Sequence, residues 1–348
     1  MSVGDSLAGS DIDFDVARLD DWLAREFGAG AKLQAERTQG GMSNPTYFLC
    51  RGDWQAVLRK QPAGPVLPSA HAIDREYRVL TALQGTAVPV PRPLHYCADR
   101  DLLGTPFYLM ERLQGRIFHA FATPGVGAVE RRAMFDAMVS TMATMHRLDV
   151  AALGLADYGR PGNYFARQLK RWSEQWTSFR RSDDDNPALD RVVNWLSERV
   201  PESELLALCH GDFRIGNVMF HATEPRVVGV LDWELSTLGH PLVDLAFNSQ
   251  AWRMAPEENG GLLGLPLAEM GIPQEDDYLA RYHALAASTE RMTTFHQVFA
   301  MFRGAVGSAG VAARGEAGNG FLPDAARVGR KLARAYAQRG LHLIEAGV

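Results

Sequence analysis

The chain has 348 residues, so it is long enough for one large domain or two lobes with a full core. Its formal net charge is −5. A mildly acidic balance argues against a nucleic-acid-binding protein, which normally carries a basic face. The three cysteines are far apart and form no C-x-x-C pair, which favours a reducing compartment over a disulfide framework or a zinc site.

The N-terminal segment and the hydropathy pattern predict a cytoplasmic protein. Residues 4–15 are acidic and lack the basic region and apolar core of a signal peptide. No apolar run approaches the roughly 18 residues of a membrane span. We therefore expect no membrane contact and no nucleic-acid partner.

The first third of the chain predicts a sheet with one or two helices. Apolar residues repeat at helical spacing over 16–27, behind the N-cap candidate Asp15. The runs 46–50 and 54–59 flank a Gly-containing turn and predict a β-hairpin. A helical pattern over 69–83 and two strand-like runs, 94–97 and 107–110, follow.

Beyond Leu113 the pattern changes to long helices. The strongest helix is predicted over 129–148, where four methionines on one face indicate core packing. Further helices are predicted over 164–179, 188–199, 276–288, 294–311 and 323–345, and short strands over 207–209, 218–220 and 227–231. A sheet lobe (residues 1–112) followed by a larger helical lobe (113–348) is an α+β arrangement.

The most specific signal is the loop from Cys209 to Asn217, which reads C-H-G-D-F-R-I-G-N. Phosphoryl transfer needs an oriented acceptor hydroxyl and metal ions that neutralise charge on the transferring group. Asp212 fits the base or orienting role. Asn217 fits a metal ligand, because its amide oxygen adds no negative charge. We expect His210 to hydrogen-bond the loop backbone.

A second acid follows at the end of an apolar run. Residues 228–231 lead into Asp232 and, two positions later, Glu234. Magnesium favours oxygen ligands, typically one or two carboxylates with phosphates and water. We predict Asp232 as the metal ligand and Glu234 as a second candidate. An aspartate at a strand end is often only a turn residue, but the preceding H-G-D-x-x-x-x-N loop favours a metal ligand here. Asp244 lies near a predicted helix start and is expected to cap that helix or anchor the catalytic loop.

Together these motifs resemble the aminoglycoside phosphotransferase family, in which H-G-D stands where protein kinases have H-R-D. The resemblance covers nearly the whole chain. It implies a protein-kinase-like fold, with an N-terminal antiparallel sheet lobe that contains a helix and a mostly helical C-terminal lobe, and ATP and Mg²⁺ as cofactors. The family's nucleotide-phosphate loop matches residues 39–44, and a tight turn before a hairpin is compatible with that role. Its predicted phosphate contacts are Gly40, Gly41, Ser43 and Asn44.

The resemblance also implies a phosphate-binding cation on the following strand. Arg59 occupies the usual lysine position, and Lys60, on the opposite face, is predicted to point outward. Which of the two contacts the ATP phosphates stays open. Glu76 matches the acid that pairs with this cation, with a surface helix glutamate as the alternative. Glu111 lies in a stretch similar to the adenine-binding hinge.

A narrower resemblance concerns the subgroup fused to some acyl-CoA dehydrogenases. The stretches 57–62, 67–77 and 164–172 are similar to that subgroup. Its implied substrates are hydroxylated acyl-CoAs, which are phosphorylated on the hydroxyl. The resemblance therefore implies a hydroxyacyl-CoA kinase with an acyl-CoA dehydrogenase as a candidate partner. Nothing in the sequence resembles a flavin site.

Candidate acceptor-binding residues lie in the second lobe. Arg167, Arg171 and Trp172 give one predicted helix a basic and aromatic face, suited to the phosphates of coenzyme A or to a quaternary amine. The subgroup resemblance adds Arg303 to the acceptor cleft. A packed helix with a solvated basic face is the alternative. The acidic run 183–185 would attract an aminoglycoside but is more typical of a solvated loop.

Three functional hypotheses follow. The first is a MgATP-dependent kinase that transfers the γ-phosphate to the hydroxyl of a small molecule, a hydroxyacyl-CoA by the resemblance. The second is a kinase for an aminoglycoside, a choline-like amine or a sugar. The third is a non-catalytic pseudokinase partner of an acyl-CoA dehydrogenase. The retained Asp212, Asn217 and Asp232 argue against the third, whereas arginine at the cation position keeps it open.

Overall fold

The computed structural model describes residues 12–38, 44–63, 72–160, 162–180, 186–203, 205–286, 290–317 and 324–347. The chain forms two compact units. One contains the described residues up to Gln84 and the segment Val90–Gln114, and the other contains Gly85–Pro89 and the described residues from Gly115 onward. The first unit is built on a sheet and the second is mostly helical, which confirms the predicted α+β arrangement.

The first unit is a five-stranded antiparallel sheet with helices. Its elements are α1 (Val16–Phe27), β1 (Gln34–Arg37), β2 (Thr46–Arg51), β3 (Trp54–Lys60), α2 (Ile73–Ala82), β4 (Pro93–Cys97), α3 (Arg100–Leu103) and β5 (Phe107–Glu111). The strands lie in the order β1-β2-β3-β5-β4. The predicted β2–β3 hairpin is confirmed. Its turn contains Gly52 at φ +64°, a conformation that glycine adopts without steric cost.

The predicted start of α1 is confirmed by its cap. The carboxylate of Asp15 accepts hydrogen bonds from the backbone N–H groups of Ala17 and Arg18. These bonds satisfy donors that the first helical turn leaves without intrahelical partners. The apolar stripe of α1 then places Leu19 and Leu23 in the core of the unit, together with residues of the sheet.

The second unit combines helices with two short antiparallel ribbons, β6–β9 and β7–β8. Its elements are α4 (Ala128–His146), α5 (Tyr164–Phe179), α6 (Pro187–Ser197), β6 (Ala207–Cys209), β7 (Val218–Phe220), β8 (Val227–Val230), β9 (Thr237–Gly239), α7 (Leu242–Ser249), α8 (Leu267–Met270), α9 (Glu275–Ala286), α10 (Thr294–Glu316) and α11 (Ala325–Glu345). The four methionines of α4 are buried, as predicted. Among the described residues, every helix is too short or too polar to cross a bilayer.

A buried histidine at the start of α10 makes the stability of this unit depend on pH. The ring nitrogen Nδ1 of His296 accepts a hydrogen bond from the backbone N–H of Thr293, at 3.1 Å. Burial, with a smaller contribution from the charge of His240, lowers the pKa of His296 to about 4. The folded protein therefore holds this imidazole neutral at pH values where the unfolded chain protonates it.

We expect the free energy of unfolding to fall by about 2 kcal/mol between pH 7 and pH 5 through His296 alone. The sign follows because a histidine with a lowered pKa stabilises the fold above its unfolded pKa and loses that contribution as the pH falls. His296→Asn keeps an acceptor for Thr293 and removes the titration. Urea unfolding of both proteins at the two pH values checks the effect, and an equally steep pH dependence in the variant would contradict it.

Candidate active site

Two ribbons fix the predicted catalytic loop, residues 210–217, at both ends. Strand β6 stops immediately before His210, and β7 begins immediately after Asn217. The register of β7 with β8 continues past the strands, because the N–H of Leu231 donates to the carbonyl of Asn217 at 2.8 Å. The next residue, Asp232, therefore follows directly at the end of the ribbon. In this way β8 brings the two predicted metal ligands to the same end of one ribbon.

Within the loop, the carboxylate of Asp212 is held by two side chains. The amide Nδ2 of Asn217 donates to Asp212 Oδ2 at 2.8 Å and to the carbonyl of Asp212 at 2.9 Å. The guanidinium Nε of Arg214 lies 3.2 Å from the same carboxylate oxygen. Because the amide nitrogen of Asn217 faces Asp212, its amide oxygen is the atom suited to a cation. Sequence reasoning missed Arg214, although a cation two residues after the acid was a visible signal.

His210 connects the loop to the strand that carries Asp232. Its Nε2 donates to the carbonyl of Leu231 at 2.8 Å, and its Nδ1 accepts from the backbone N–H of Asp212 at 3.2 Å. These two partners fix one tautomer, with the proton on Nε2. The side chain is fully buried, with its ring 4.8 Å from that of Trp233. The expected bonding of His210 to the loop backbone is confirmed.

A buried carboxylate anchors the backbone of the loop. Asp244, in the first turn of α7, accepts the backbone N–H groups of His210 at 2.6 Å and Gly211 at 2.8 Å. His146, on α4, lies 3.3 Å from the same carboxylate. Burial alone would raise the pKa of Asp244, but the hydrogen bonds and charges of its partners outweigh it and lower that pKa. Asp244 thus has the anchoring role expected of it, while the distant His146 was not predictable.

The glycine of the H-G-D motif is required by the backbone. Gly211 has φ +83°, and a Cβ atom there would lie only 2.4 Å from the carbonyl oxygen of Leu235. A side chain would meet backbone strain and a backbone atom that cannot turn aside. The motif therefore has a geometric cause as well as a chemical one.

We expect Gly211→Ala to destabilise the protein by at least about 1–3 kcal/mol, the usual cost of one strained backbone position, and to disturb the catalytic loop. Gly216→Ala is the matched control in the same loop. Its Cβ would first meet the flexible end of the Arg214 side chain, at 2.7 Å, and its φ is not positive. Urea unfolding should show a clearly larger loss for Gly211→Ala, and equal losses would refute the steric explanation.

Asp232 is held in an uncommon backbone conformation. Its φ of 64° and ψ of 65° place it in the left-handed region, which aspartate and asparagine tolerate better than most residues. The 3₁₀ turn Trp233–Leu235 begins directly afterwards and contains Glu234. Strained residues cluster at functional sites, where the surrounding structure holds them in place. This geometry agrees with a dedicated role for Asp232, and the metal roles of Asp232 and Glu234 stay predictions.

The first unit contains the predicted cation and its acid as a buried pair. Nε of Arg59 lies 2.9 Å from Oε2 of Glu76 on α2, and the two residues are 7% and 2% exposed. The prediction that Lys60 points outward is wrong, because Lys60 is 1% exposed. Its Nζ contacts the carboxylate of Asp13 and the carbonyl of Leu103 on the other face of β3. That face is covered by the segments around α1 and α3.

The remaining nucleotide-site predictions are only partly described. Gly40, Gly41 and Ser43 lie outside the described residues. Asn44 is fully buried at the start of the β2–β3 hairpin. Glu111 ends β5, and its carboxylate accepts the backbone N–H of Arg92 at 3.3 Å.

Three of the four predicted acceptor-binding residues lie together. The guanidinium of Arg303 faces the ring of Trp172, and that of Arg171 lies 6.0 Å from the same ring. Nη2 of Arg303 also donates to the carbonyl of Gly211 at 2.6 Å, which connects this group to the catalytic loop. Arg167, by contrast, bonds locally to the carbonyl of Gly162 ahead of α5. The acidic run 183–185 lies outside the described residues.

A pocket borders the catalytic loop. It encloses about 350 Å³, including its open mouth, and its lining includes Phe121, Arg214, Gly216, Gln250, Met254 and Tyr336. Gln250 is 8% exposed, and its Oε1 accepts no hydrogen bond from the described residues. The pocket therefore has both apolar and polar walls and lies beside the loop. Sequence reasoning missed Gln250 and Tyr336, which come from elements far along the chain.

Comparison with known proteins agrees with this geometry. A model of the phosphotransferase enzyme family, APH, matches residues 34–292. A curated relative, acyl-CoA dehydrogenase family member 11 of Gallus gallus, is 46% identical over 244 residues, which are 68% of this chain and 31% of the relative. Its Rattus norvegicus counterpart is 43% identical, over 74% of this chain and 34% of its own length. The chain thus spans about a third of the length of these relatives.

Solved structures show the same fold. A candidate aminoglycoside phosphotransferase from Ralstonia eutropha is 38% identical, with a TM-score of 0.83, over 96% of this chain and 99% of its own. Aminoglycoside phosphotransferase APH(4)-Ia, solved with AMP-PNP and hygromycin B, has a TM-score of 0.61 at 20% identity, over 92% of this chain and 98% of its own. The fold is therefore kinase-like, and the chain belongs to the phosphotransferase enzyme family.

Proposed function

We propose that this protein is a MgATP-dependent kinase that transfers the γ-phosphate of ATP to a hydroxyl group of a small molecule. One observation carries the proposal. The carboxylate of Asp212 is held by Asn217 and Arg214 in a loop whose backbone is anchored by Asp244. Such an arrangement suits a group that must be oriented toward an acceptor hydroxyl before the phosphoryl group transfers.

The residues at the ribbon end fit Mg²⁺. The amide oxygen of Asn217 and the carboxylate of Asp232 are hard oxygen donors, and one or two carboxylates are typical of a magnesium site. When bound, the metal would neutralise charge on the transferring phosphoryl group. The buried Arg59, paired with Glu76, is the candidate cation for the nucleotide phosphates. Arginine binds phosphate well, which makes a pseudokinase interpretation unnecessary.

The acceptor end of the reaction is assigned to Asp212 and the neighbouring pocket. Asp212 would accept a hydrogen bond from the acceptor hydroxyl and orient its oxygen for transfer. Arg214, whose Nε lies 3.2 Å from that carboxylate, would hold it in position and supply positive charge beside the reacting oxygens. Gln250 lines the same pocket.

We assign the acceptor to the hydroxyacyl-CoA class. Two points support this choice over an aminoglycoside, a choline-like amine or a sugar. The relatives with the higher identities are named acyl-CoA dehydrogenase family members. The cluster around Arg303 is cationic, which suits an anionic acceptor and opposes a cationic one. An acyl-CoA dehydrogenase is the corresponding candidate partner.

The decisive experiment measures ADP release against a panel of hydroxyacyl-CoAs, aminoglycosides and amino alcohols. We expect release with ATP, magnesium and a hydroxyacyl-CoA, and the product should carry one phosphate on the acyl hydroxyl. Thermal stabilisation by ATP should be larger with magnesium than without it, because a ligand that binds only the folded state raises its stability. Activity with the aminoglycosides alone would reject the hydroxyacyl-CoA assignment and make an aminoglycoside the acceptor. A missing magnesium-dependent shift would reject the kinase.

A further inference from the structure

We propose that Arg303, Arg171 and Trp172 form a binding site for a phosphate group of the acceptor, and that Arg303 connects this site to the catalytic loop. The inference rests on the proposed function and deepens it, since it assigns residues to the anionic end of the substrate. It starts from a buried cation with spare donors beside the catalytic loop.

Arg303 is buried and forms no direct ion pair with a carboxylate among the described residues. The residue is 7% exposed, and one guanidinium nitrogen, Nη2, donates to the carbonyl of Gly211 at 2.6 Å. Its Nε and Nη1 have no hydrogen-bond partner among the described residues, and no described carboxylate comes within ion-pair distance of it. Buried arginines are normally paired, because an isolated charge is costly to remove from water. Two spare donors on such a side chain are suited to an anion.

A second arginine adds charge of the same sign. The pKa of Arg171 is lowered by desolvation and then by the positive charge of Arg303, with Arg160 contributing in the same direction. The Arg171 side chain is nevertheless exposed. Both guanidinium groups lie within about 6 Å of the Trp172 ring, so they are neighbours on this part of the surface. Neighbouring cations repel one another until an anion binds between them.

Aromatic rings orient the donors. The guanidinium carbon of Arg303 lies 5.6 Å from the ring centre of Trp172 and 5.3 Å from that of Phe247. Cation–π contacts of this kind hold a guanidinium by its flat faces and leave its edge for hydrogen bonds. The indole Nε1 of Trp172 is a further buried donor without a partner among the described residues. A planar arginine edge with additional donors matches the tetrahedral oxygens of a phosphate group.

The same arginine reaches the reacting end of the molecule. Its Nη2 is bonded to Gly211, whose N–H is held by Asp244 and which directly precedes Asp212. A phosphate on the other edge of the guanidinium would fix Arg303, and through it the loop. We therefore expect Arg171 to contribute to binding alone. Arg303, as a positioning residue, should affect both binding and turnover.

The first test is calorimetry with coenzyme A, 3′-dephospho-CoA and pantetheine. Excess MgADP is present to fill the nucleotide site, so that the measured heat does not include binding of the adenosine part of coenzyme A to that site. Arg171→Met should raise the Kd for coenzyme A about ten- to hundredfold, as expected for the loss of a charge-assisted hydrogen bond. Arg303→Met should raise it at least as much. Lys170→Met, an exposed neighbour of Arg171, is the matched control and should change nothing.

Pantetheine, which lacks phosphate, should bind weakly and equally to all variants. Comparison of coenzyme A with 3′-dephospho-CoA tells whether the 3′-phosphate or the diphosphate is the group bound. Arg303→Lys retains the charge and should bind coenzyme A more tightly than Arg303→Met, which shows that a loss in Arg303→Met is not a folding defect. Unchanged coenzyme A affinity in both Arg171→Met and Arg303→Met would overturn the inference. So would a wild-type protein that binds succinate but not coenzyme A.

The second test separates this inference from the proposed function. With hydroxyacyl-CoA as acceptor, Arg171→Met should raise KM and leave kcat unchanged, whereas Arg303→Met should raise KM and lower kcat. Coenzyme A binding that depends on the two arginines, without phosphoryl transfer, would support the site and reject the kinase. Phosphoryl transfer with an unchanged KM in both variants would support the kinase and reject the site.

Discussion

Asp212→Asn should lower kcat about 10²- to 10⁴-fold, the usual contribution of a positioned acid or base group. The substitution keeps the size of the side chain and removes the charge that would accept the acceptor proton. The partners of that charge, Asn217 and Arg214, lie 2.8 and 3.2 Å away, so the loss acts on a group that the structure already holds in place. ADP release at saturating MgATP and acceptor measures the effect.

Two controls accompany this prediction. The thermal midpoint of Asp212→Asn should stay close to that of the wild type, since the backbone of the loop is anchored by Asp244 and His210. Asp276→Asn, on α9, removes a carboxylate away from the catalytic loop and should leave kcat unchanged. Turnover at the wild-type rate in Asp212→Asn would show that another group orients the acceptor.

Asp232→Asn should abolish turnover and remove the magnesium-dependent part of nucleotide binding. Asparagine is the informative replacement because it also tolerates the left-handed backbone found at φ 64°. The variant therefore removes a negative charge from the metal site while the conformation is kept. Mg²⁺ requires hard oxygen ligands and depends strongly on a carboxylate, so a neutral amide should hold it poorly.

The measurement is thermal unfolding with ATP, in the presence and absence of magnesium. At a nucleotide concentration about 100 times Kd, binding stabilises the folded wild type by about 2.7 kcal/mol. Much of this stabilisation by ATP should depend on magnesium in the wild type, and little of it should depend on magnesium in Asp232→Asn. Glu234→Gln is the neighbouring control, and a larger loss there than in Asp232→Asn would exchange the roles of the two acids.

Local patterns were enough to predict most of the elements. The cap at Asp15, the hairpin around Gly52 and the methionine face of α4 each depend on residues within one element, and all three are confirmed. The α+β class and the hydrogen bond between His210 and the loop backbone were also predicted from the sequence and are confirmed. Strand β9 was missed because its three residues become a strand only by pairing with β6, about thirty positions earlier.

The candidate site was predictable in its loop and less so in its surroundings. Spacing within the loop was enough to single out Asp212 and Asn217, which lie in contact and whose roles stay predictions. His146, Gln250 and Tyr336 reach the candidate site from elements separated by long stretches of chain. Lys60 was misjudged for a similar reason. Alternation along β3 correctly put it opposite Arg59, but only tertiary packing could reveal that the opposite face is also buried.

The carboxylate of Asp244 has a further consequence for the energetics of the loop. It accepts two consecutive backbone N–H groups, those of His210 and Gly211, from inside the core. The conformational entropy of this segment is therefore lost when the chain folds, and little of it is left to lose when a ligand arrives. Preorganisation of this kind lets binding energy act on the substrate instead of on the protein. The buried residues His210 and Gly211 therefore hold the following residue, Asp212, in a position that folding has already fixed.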